Sequence, residues 1–506
     1  MKRILGLILL VTLFGFGAVQ MNSTTEIRPL RIAFNSPWIS ISPGLQHTLI
    51  GDLTLSNQFE ALVSFNENGV YAPLASKEWS ASPDFKKLTF KIDTSRFFAD
   101  GVRLSAKHFK SSWENALKLD PKSSNNSVLD VLYKIDGFSE FEKTGTISGI
   151  KVIDDETLEL NFSSSFRMAL EHLAGSRFSA YREVQGKFIG TGAYEISELG
   201  QDHLRLVPNM RFQTPPEGEI DLRVINTADS YQALLRGELD VMAYALGSSI
   251  PETVSSNEKV SVLVGQDAAH KAIYPNQQKG RLFEKREYRQ ALQYLAYEFA
   301  KKDHSLLGNP NFSNQDPQVY LPYQAGRIDE SEVLSRVEQG KKFVDELRDA
   351  SKLNPIVLLE VQEVSIRHFL ESVGLTISDK SRIVSKSDLI KAIYDGQEAD
   401  IIPGAFGVAS GDPDGIYHLL GPQGAIASPM LKNKKVGDIL EEGRKIVKRD
   451  EIDPFYKKVS KVILDEVPIV HLGFVKSVAV YRNDKVSISE KILRRSEGHL
   501  YIYKVK

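Results

Sequence analysis

Residues 56–175 show short segments in which apolar and polar positions alternate. Residues 87–93 (KLTFKID) and 158–162 (LELNF) have this period of two, which is typical of strands with one buried face. Residues 150–152 precede the second of these segments, and the turn residues Asp154 and Asp155 lie between them. Asp favours turns, so the pattern predicts a hairpin within an antiparallel, β-rich unit.

One helix interrupts this β-rich unit. Ser105 is a good N-cap residue, because its hydroxyl can accept from a free backbone N–H of the first turn. The apolar positions that follow recur at helical spacing and share one face: Ala106, Phe109, Trp113, Ala116 and Leu117.

The later chain alternates strand and helix. A strand over 222–225, a helix over 230–236 closed by Gly237, and a strand over 239–244 form one such unit. Similar units run over 356–377 and 388–402. Strand–helix–strand order favours parallel pairing, so we expect two α/β lobes in addition to the β-rich unit.

Two further helices are predicted in the second half of the chain. Residues 287–300 carry an apolar stripe, and a helix near the C-terminus is predicted to begin with Asp453 as its cap and Pro454 in its first turn. Tandem repeats and long low-complexity linkers do not occur in the sequence.

Composition narrows the class of protein. The 506 residues suggest about three domains. With 63 Lys and Arg against 65 Asp and Glu, there is no excess of positive charge to neutralise nucleic-acid phosphates. The absence of cysteine excludes disulfides, zinc–thiolate sites and a lipid-modified N-terminal cysteine.

Residues 1–20 resemble a secretory signal peptide. Lys2 and Arg3 precede an apolar run over 4–16, followed by the small residues Gly17 and Ala18. The run is shorter than the ~20 residues that span a bilayer, although an uncleaved anchor is the competing interpretation. No later segment approaches 18 apolar residues without charge. We therefore expect an exported, soluble protein of a bacterial periplasm.

Motifs for catalysis are missing from the sequence. The ten histidines form no HxxxH or HxH arrangement, and neither a P-loop nor a GxSxG motif occurs. The DPDG segment that begins at Asp412 lacks the regular ligand spacing of a calcium loop and is better explained as a turn. We expect a protein that is not an enzyme, with no catalytic residue, cofactor or metal site.

A family resemblance appears in ordered blocks. Residues 79–117 contain an aspartate turn before a strand, then an aromatic residue and the Asp100-Gly101 pair, then a helix that begins with Ala106 and contains Trp113. This segment resembles the hallmark of the family 5 extracellular solute-binding proteins, the oligopeptide- and dipeptide-binding components of bacterial ABC importers. The other similar blocks lie at 59–75, 190–194, 208–209, 228–240, 276–292, 396–413 and 468–472.

The resemblance covers about residues 28–480 and implies a type II periplasmic-binding-protein fold. Two α/β lobes would close by a hinge over a ligand in the cleft between them, and the first lobe would carry the extra β-rich subdomain. The implied division is a signal peptide (1–20), the first segment of lobe 1 (28–55), its β-rich insert (56–175), its second segment (176–265), lobe 2 (266–480) and a return to lobe 1 (481–506).

One position departs from the peptide-binding relatives. They place an aspartate four residues before the proline that matches Pro413, and its carboxylate pairs with the N-terminal ammonium of a peptide. Here that position is Ala409, which can neither accept a hydrogen bond nor offset a charge. Asp412 either replaces this anchor or caps the turn at Pro413.

Other ligand-binding candidates follow from position in the resemblance. Asn35 and Trp38 follow the first strand (30–34), where Trp38 is either a stacking platform or a core residue. Ala405 and Gly407 match the strand that hydrogen-bonds an extended ligand through its backbone. Tyr417 either lines the cleft or packs beneath it.

The resulting hypothesis is a monomeric periplasmic protein that captures a peptide or peptide-like solute and delivers it to the permease subunits of an ABC transporter. The departure at Ala409 also allows a non-peptide ligand, such as an oligosaccharide or a metal chelate. The same fold is also compatible with a sensory receptor, and an exported hydrolase is the least favoured hypothesis.

Overall fold

The computed structural model describes residues 28–487, except 36–37, 39, 46–48, 66–70, 120–127, 244–249, 307–312, 362–364, 397–398, 408–411 and 425–426, and also residues 504–505. The predicted signal peptide and Ala409 therefore lie outside the described residues. Within the described ranges, no helix has the length and apolar character needed to cross a bilayer.

The strands of the described chain are short, apart from two. In order they are β1 (Leu30–Phe34), β2 (Val63–Phe65), β3 (Tyr71–Pro73), β4 (Ser76–Ala81), β5 (Lys87–Ile92), β6 (Ile150–Val152), β7 (Thr157–Asn161), β8 (Arg182–Val184), β9 (Lys187–Ile189), β10 (Tyr194–Leu199), β11 (His203–Pro208), β12 (Ile220–Val224), β13 (Val241–Met242), β14 (Val260–Pro275), β15 (Ser313–Gln315), β16 (Leu359–Glu360), β17 (Arg382–Ile383), β18 (Ile401–Gly407), β19 (Val470–Arg482), β20 (Val486–Ser487) and β21 (Lys504–Val505).

The α-helices lie between these strands. They are α1 (Leu49–Leu55), α2 (Ala106–Leu119), α3 (Leu129–Leu132), α4 (Phe141–Thr144), α5 (Ala169–Leu173), α6 (Thr227–Arg236), α7 (Glu252–Ser255), α8 (Arg286–Ala300), α9 (Glu330–Glu338), α10 (Val344–Leu353), α11 (Arg367–Ser372), α12 (Lys386–Asp395), α13 (Tyr417–Leu420), α14 (Lys434–Gly443) and α15 (Arg449–Glu466).

A nine-stranded mixed sheet forms the centre of the molecule. Its order is β10-β11-β12-β1-β13-β19-β14-β18, and β15 pairs with β19 off this path. Strands β12 and β13 both pair in parallel with β1, which lies between them. The helix α6 connects β12 to β13, so the parallel pairing predicted from the strand–helix–strand order is confirmed.

Strands β14 and β19 join the two lobes. One end of their antiparallel ladder, at Val260–Val264, lies in the first lobe beside β13, and the other end lies in the second lobe beside β18. The register shifts between Val264 and Asp267, and again before Ala269. Such irregularities bend a strand and raise its twist, so they allow one sheet to serve both lobes.

The β-rich subdomain of the first lobe is a four-stranded antiparallel sheet of order β4-β5-β7-β6. The predicted hairpin is present as β6 and β7, and α2 begins at Ala106 as predicted. Trp113 of α2 is buried in the core of this subdomain and donates from Nε1 to the carbonyl of Phe178 at 3.0 Å. The packing of α2 on the sheet therefore fixes the position of the segment that follows β7.

The start of α15 differs from the prediction. The helix begins at Arg449, so Pro454 lies inside it and Asp453 does not cap it. Proline has no N–H, so the carbonyl one turn earlier loses its helical donor. The Asp453 carboxylate instead accepts from the backbone N–H of Gly326 at 3.0 Å and pairs with Lys457 at 2.8 Å. Asp453 was predicted to cap the helix, but its carboxylate instead makes a contact with a distant part of the chain.

Candidate binding cleft between the lobes

Strand β18 ends the strand order of the central sheet in the second lobe, and on its outer side an isolated bridge pairs its first residue, Ile401, with Leu358. Ala405 and Gly407 are both exposed there. A Cβ placed on Gly407 would meet no described atom within 4 Å, so the space beside this residue is open. An exposed edge strand presents unpaired backbone groups that can pair with an extended ligand.

Residues after β1 contact the second lobe. Asn35 Nδ2 donates to the Thr227 hydroxyl at 3.3 Å, and the carbonyl of Asn35 accepts from Lys386 Nζ. Lys386 begins α12 of the second lobe, so this hydrogen bond joins the lobes. Trp38 is partly buried and packs against the core of the first lobe.

Asp412 pairs with a cation from the other lobe. Arg167 Nη1 donates to Asp412 Oδ2, and Arg167 Nη2 lies 3.5 Å from Oδ1. Burial disfavours the charged guanidinium, but the Asp412 carboxylate prevails and raises the pKa of Arg167 above its usual value. Asp412 Oδ1 also accepts from the N–H of Asp414 at 2.9 Å, so this residue caps the turn at Pro413.

A second ion pair lies deeper. Arg444 Nε donates to Asp414 Oδ2 at 2.9 Å, and both side chains are completely buried. The guanidinium of Arg444 lies 3.3 Å from the ring centroid of Tyr417 and 2.9 Å from His172 Nε2. Because a buried charge needs a partner, the stacking and these hydrogen bonds make the pair tolerable in the interior.

Tyr417 is packed in the interior of the second lobe. Its ring is completely buried, and its hydroxyl hydrogen-bonds to Tyr133 at 2.6 Å and to Glu441. Lys134 Nζ donates to Glu441 Oε2 at 2.8 Å. Burial opposes ionisation of Glu441, but Lys134 and the two tyrosine hydroxyls hold the pKa of this carboxyl below its usual value.

These contacts form one cluster between the β-rich subdomain and the second lobe. We call it the inter-lobe cluster; the subdomain contributes Tyr133, Lys134, Arg167 and His172, and the second lobe contributes Asp412, Asp414, Tyr417, Glu441 and Arg444. Its ion pairs and hydrogen bonds hold the subdomain against the second lobe.

The sequence analysis did not identify most of this cluster. Asp412 and Tyr417 were candidates, but Arg167 lies 245 positions from Asp412, and Lys134 lies 307 positions from Glu441. No local pattern joins residues so far apart. Ala409, the position of the missing anchor, lies outside the described residues. Within the described part of the chain, no group of three or more His, Asp or Glu residues could hold a metal ion.

Sequence comparisons point to one family. The model of the bacterial extracellular solute-binding proteins, family 5 Middle, matches residues 69–296. The periplasmic oligopeptide-binding protein OppA of Escherichia coli (strain K12) is 28% identical over 153 residues, which cover 28% of this chain and 28% of that protein. The chain thus matches little more than a quarter of the length of this curated relative.

Solved structures are similar over nearly the whole chain. AgaA from A. tumefaciens R10, in complex with agropinic acid, has a TM-score of 0.78 and 16% identity, with coverage of 94% of this chain and 99% of that one. The Escherichia coli murein tripeptide binding protein MppA has a TM-score of 0.77 and 16% identity, with coverage of 95% and 99%. The two-lobed periplasmic-binding-protein fold of mixed α/β content is therefore confirmed.

Direct contacts join the two lobes of this chain. A structure of MppA in its unliganded open form has a TM-score of only 0.60 to this chain, at 16% identity and with coverage of 94% of this chain and 97% of that one. The lower score agrees with the ion pairs and hydrogen bonds that join the lobes here.

Proposed function

Residues 69–296 of this chain match the model of the bacterial extracellular solute-binding proteins, family 5 Middle. On that premise we propose that the protein captures a peptide or peptide-like solute between its lobes and delivers it to an ABC transporter. The family consists of solute-binding proteins, not enzymes, and the relative OppA is periplasmic and named for oligopeptide binding. The matched residues 69–296 lie within the region over which the sequence resembles this family.

The observation that carries the proposal is the edge strand β18. Its exposed residues Ala405 and Gly407 lack bulky side chains, so an extended backbone can approach closely. Backbone pairing to an edge strand gives affinity without requiring particular side chains, which suits a carrier of varied peptides. Asn35 and Trp38 would contribute from the first lobe.

Closure of the lobes would then bury the bound solute. Hydrogen bonds and ion pairs gain strength when water is removed from their surroundings. We propose export by the N-terminal signal peptide, a monomeric mature protein, and the permease subunits of an importer as the partner that receives the closed form.

Native purification followed by denaturing mass spectrometry tests the proposal. The expected result is a family of co-purified di- to oligopeptides, together with a raised melting temperature in the presence of peptide pools. If no peptide is bound and no peptide pool shifts the melting temperature, the peptide assignment is wrong. Pools of sugars and metal chelates, run in parallel, would then identify a non-peptide ligand.

A further inference from the structure

Lys271 lies on β14, beside β18. Strand register places it between Ala405 of β18 and Gly473 of β19. His270 points to the opposite face, where its ring stacks on Phe406 with the centroids 4.1 Å apart. Because alternate residues share a face, Lys271, Ala405 and Gly407 line the same side of the sheet.

The ammonium of Lys271 has no anionic partner among the described residues. Its side chain forms neither an ion pair nor a hydrogen bond there, and burial alone, with no carboxylate acting on it, lowers the pKa of Lys271 to about 8. A partly buried, unpaired cation is unfavourable in a folded protein. A ligand that brings a negative charge to this place would remove that cost.

The nearby carboxylates of the second lobe are already engaged. Asp412 pairs with Arg167, and Asp414 pairs with Arg444. Both acids are thus neutralised from within the protein, and Ala409 offers no carboxylate. These two carboxylates are therefore not available to a ligand ammonium, whereas Lys271 has no described ion-pair partner.

We propose that Lys271 binds a carboxylate of the solute and that the protein recognises its ligand by this negative charge rather than by a free amino group. This inference rests on the proposed use of the cleft for solute binding. Asp412 then serves to pair with Arg167 and does not replace the missing amino-group anchor.

The test compares ligand pools on four versions of the full protein. These are the wild type, K271M, K271R, and K143M as a matched lysine control, because Lys143 is exposed and lies in the β-rich subdomain. The probes are tri- and tetrapeptide pools with free, acetylated, amidated or doubly blocked ends, a pool of non-peptide carboxylic acids, and a pool of neutral sugars. Thermal shift identifies binding pools, and calorimetry gives Kd for them.

We expect peptides with a free carboxylate to bind whether or not they are acetylated, and amidated peptides to bind weakly. K271M should weaken carboxylate binding roughly 10- to 100-fold, the usual range for a lost charge-assisted hydrogen bond. K271R should retain most of the affinity, and K143M should match the wild type. Melting of the ligand-free variants separates misfolding from lost binding.

The possible failures are distinct. Three results would each show that the role of Lys271 is wrong. K271M could leave the Kd of carboxylate ligands unchanged, or amidated peptides or neutral sugars could bind as tightly as peptides with a free carboxylate. The third is that no carboxylate-bearing pool shifts the melting temperature. If only non-peptide acids bind, and K271M weakens them, the inference about Lys271 stands while the peptide assignment fails.

Discussion

Arg444 shows at the residue scale how the second lobe accommodates buried charge. Its guanidinium contacts Asp414, His172 and the face of Tyr417, and none of its side chain is exposed. Taking both ions out of water is costly, so the pair is stable only while each partner is present.

We predict that R444M lowers the free energy of unfolding by about 3–5 kcal/mol, because it leaves the buried Asp414 carboxylate unpaired. Urea denaturation measures this change. D414N combined with R444M should recover much of the loss. R236M, which removes an exposed pair with Glu238, is the control and should leave the unfolding midpoint unchanged. Equal midpoints for R444M and wild type would refute the assignment.

Residue-level prediction from sequence had a clear limit. The sequence left two roles open for Asp412, and only the position of Arg167 in space distinguishes an available anchor from a paired carboxylate. In the same way, the burial of Tyr417 depends on Tyr133 and Glu441, which hydrogen-bond to its hydroxyl. These contacts join segments far apart in the chain, and periodicity carries no information about them.

At the scale of elements, two histidines lie on the strands that join the lobes. His471 Nδ1 donates to the carbonyl of Asp316 at 2.7 Å, so its Nε2 accepts from His270 Nδ1 at 3.0 Å. Both rings are buried, and His471 must be neutral for its Nε2 to accept. Burial lowers the pKa of His471 to about 4, with Asp316 opposing and Arg327 reinforcing the change.

The folded state therefore loses stability as the pH falls from about 6.5 to about 4. In this window the unfolded chain binds protons on histidine that the folded chain does not, and His471 alone accounts for about 3 kcal/mol of the loss. Burial, reinforced by His471, also lowers the pKa of His270. Urea denaturation at several pH values measures how steeply the free energy of unfolding changes with pH. H471Q should flatten this dependence, whereas H304Q, at an exposed position, should not. Identical slopes for wild type and H471Q would contradict the prediction.

Elements whose boundaries are local were predicted well. α6 and α12 both end at a glycine with positive φ, Gly237 at 76° and Gly396 at 67°, as the sequence indicated. Among the features that were not predicted are the length of β14 and β19, which depends on pairing between distant segments, and the start of α15, where Asp453 bonds another part of the chain.

At the scale of the molecule, the inter-lobe cluster should favour the closed form. Opening the lobes separates Arg167 from Asp412 and Lys134 from Glu441. R167M removes one of these pairs and leaves Asp412 better solvated when the lobes are apart, so the open population should rise.

We expect ligand-free R167M to have a larger radius of gyration than wild type in small-angle X-ray scattering, and its apparent ligand affinity to fall in proportion to the closed fraction. R236M again serves as the control. An unchanged radius of gyration would show that the cluster does not determine closure.

The central claim is that an extended solute pairs with the edge strand β18. Amide hydrogen exchange, with and without a peptide pool that raises the melting temperature, tests it most directly. The account predicts slower exchange at Gly404, Ala405, Phe406 and Gly407 when the pool is present, because their backbone groups become hydrogen-bonded or shielded. A pool that stabilises the protein but leaves exchange in β18 unchanged would contradict the account.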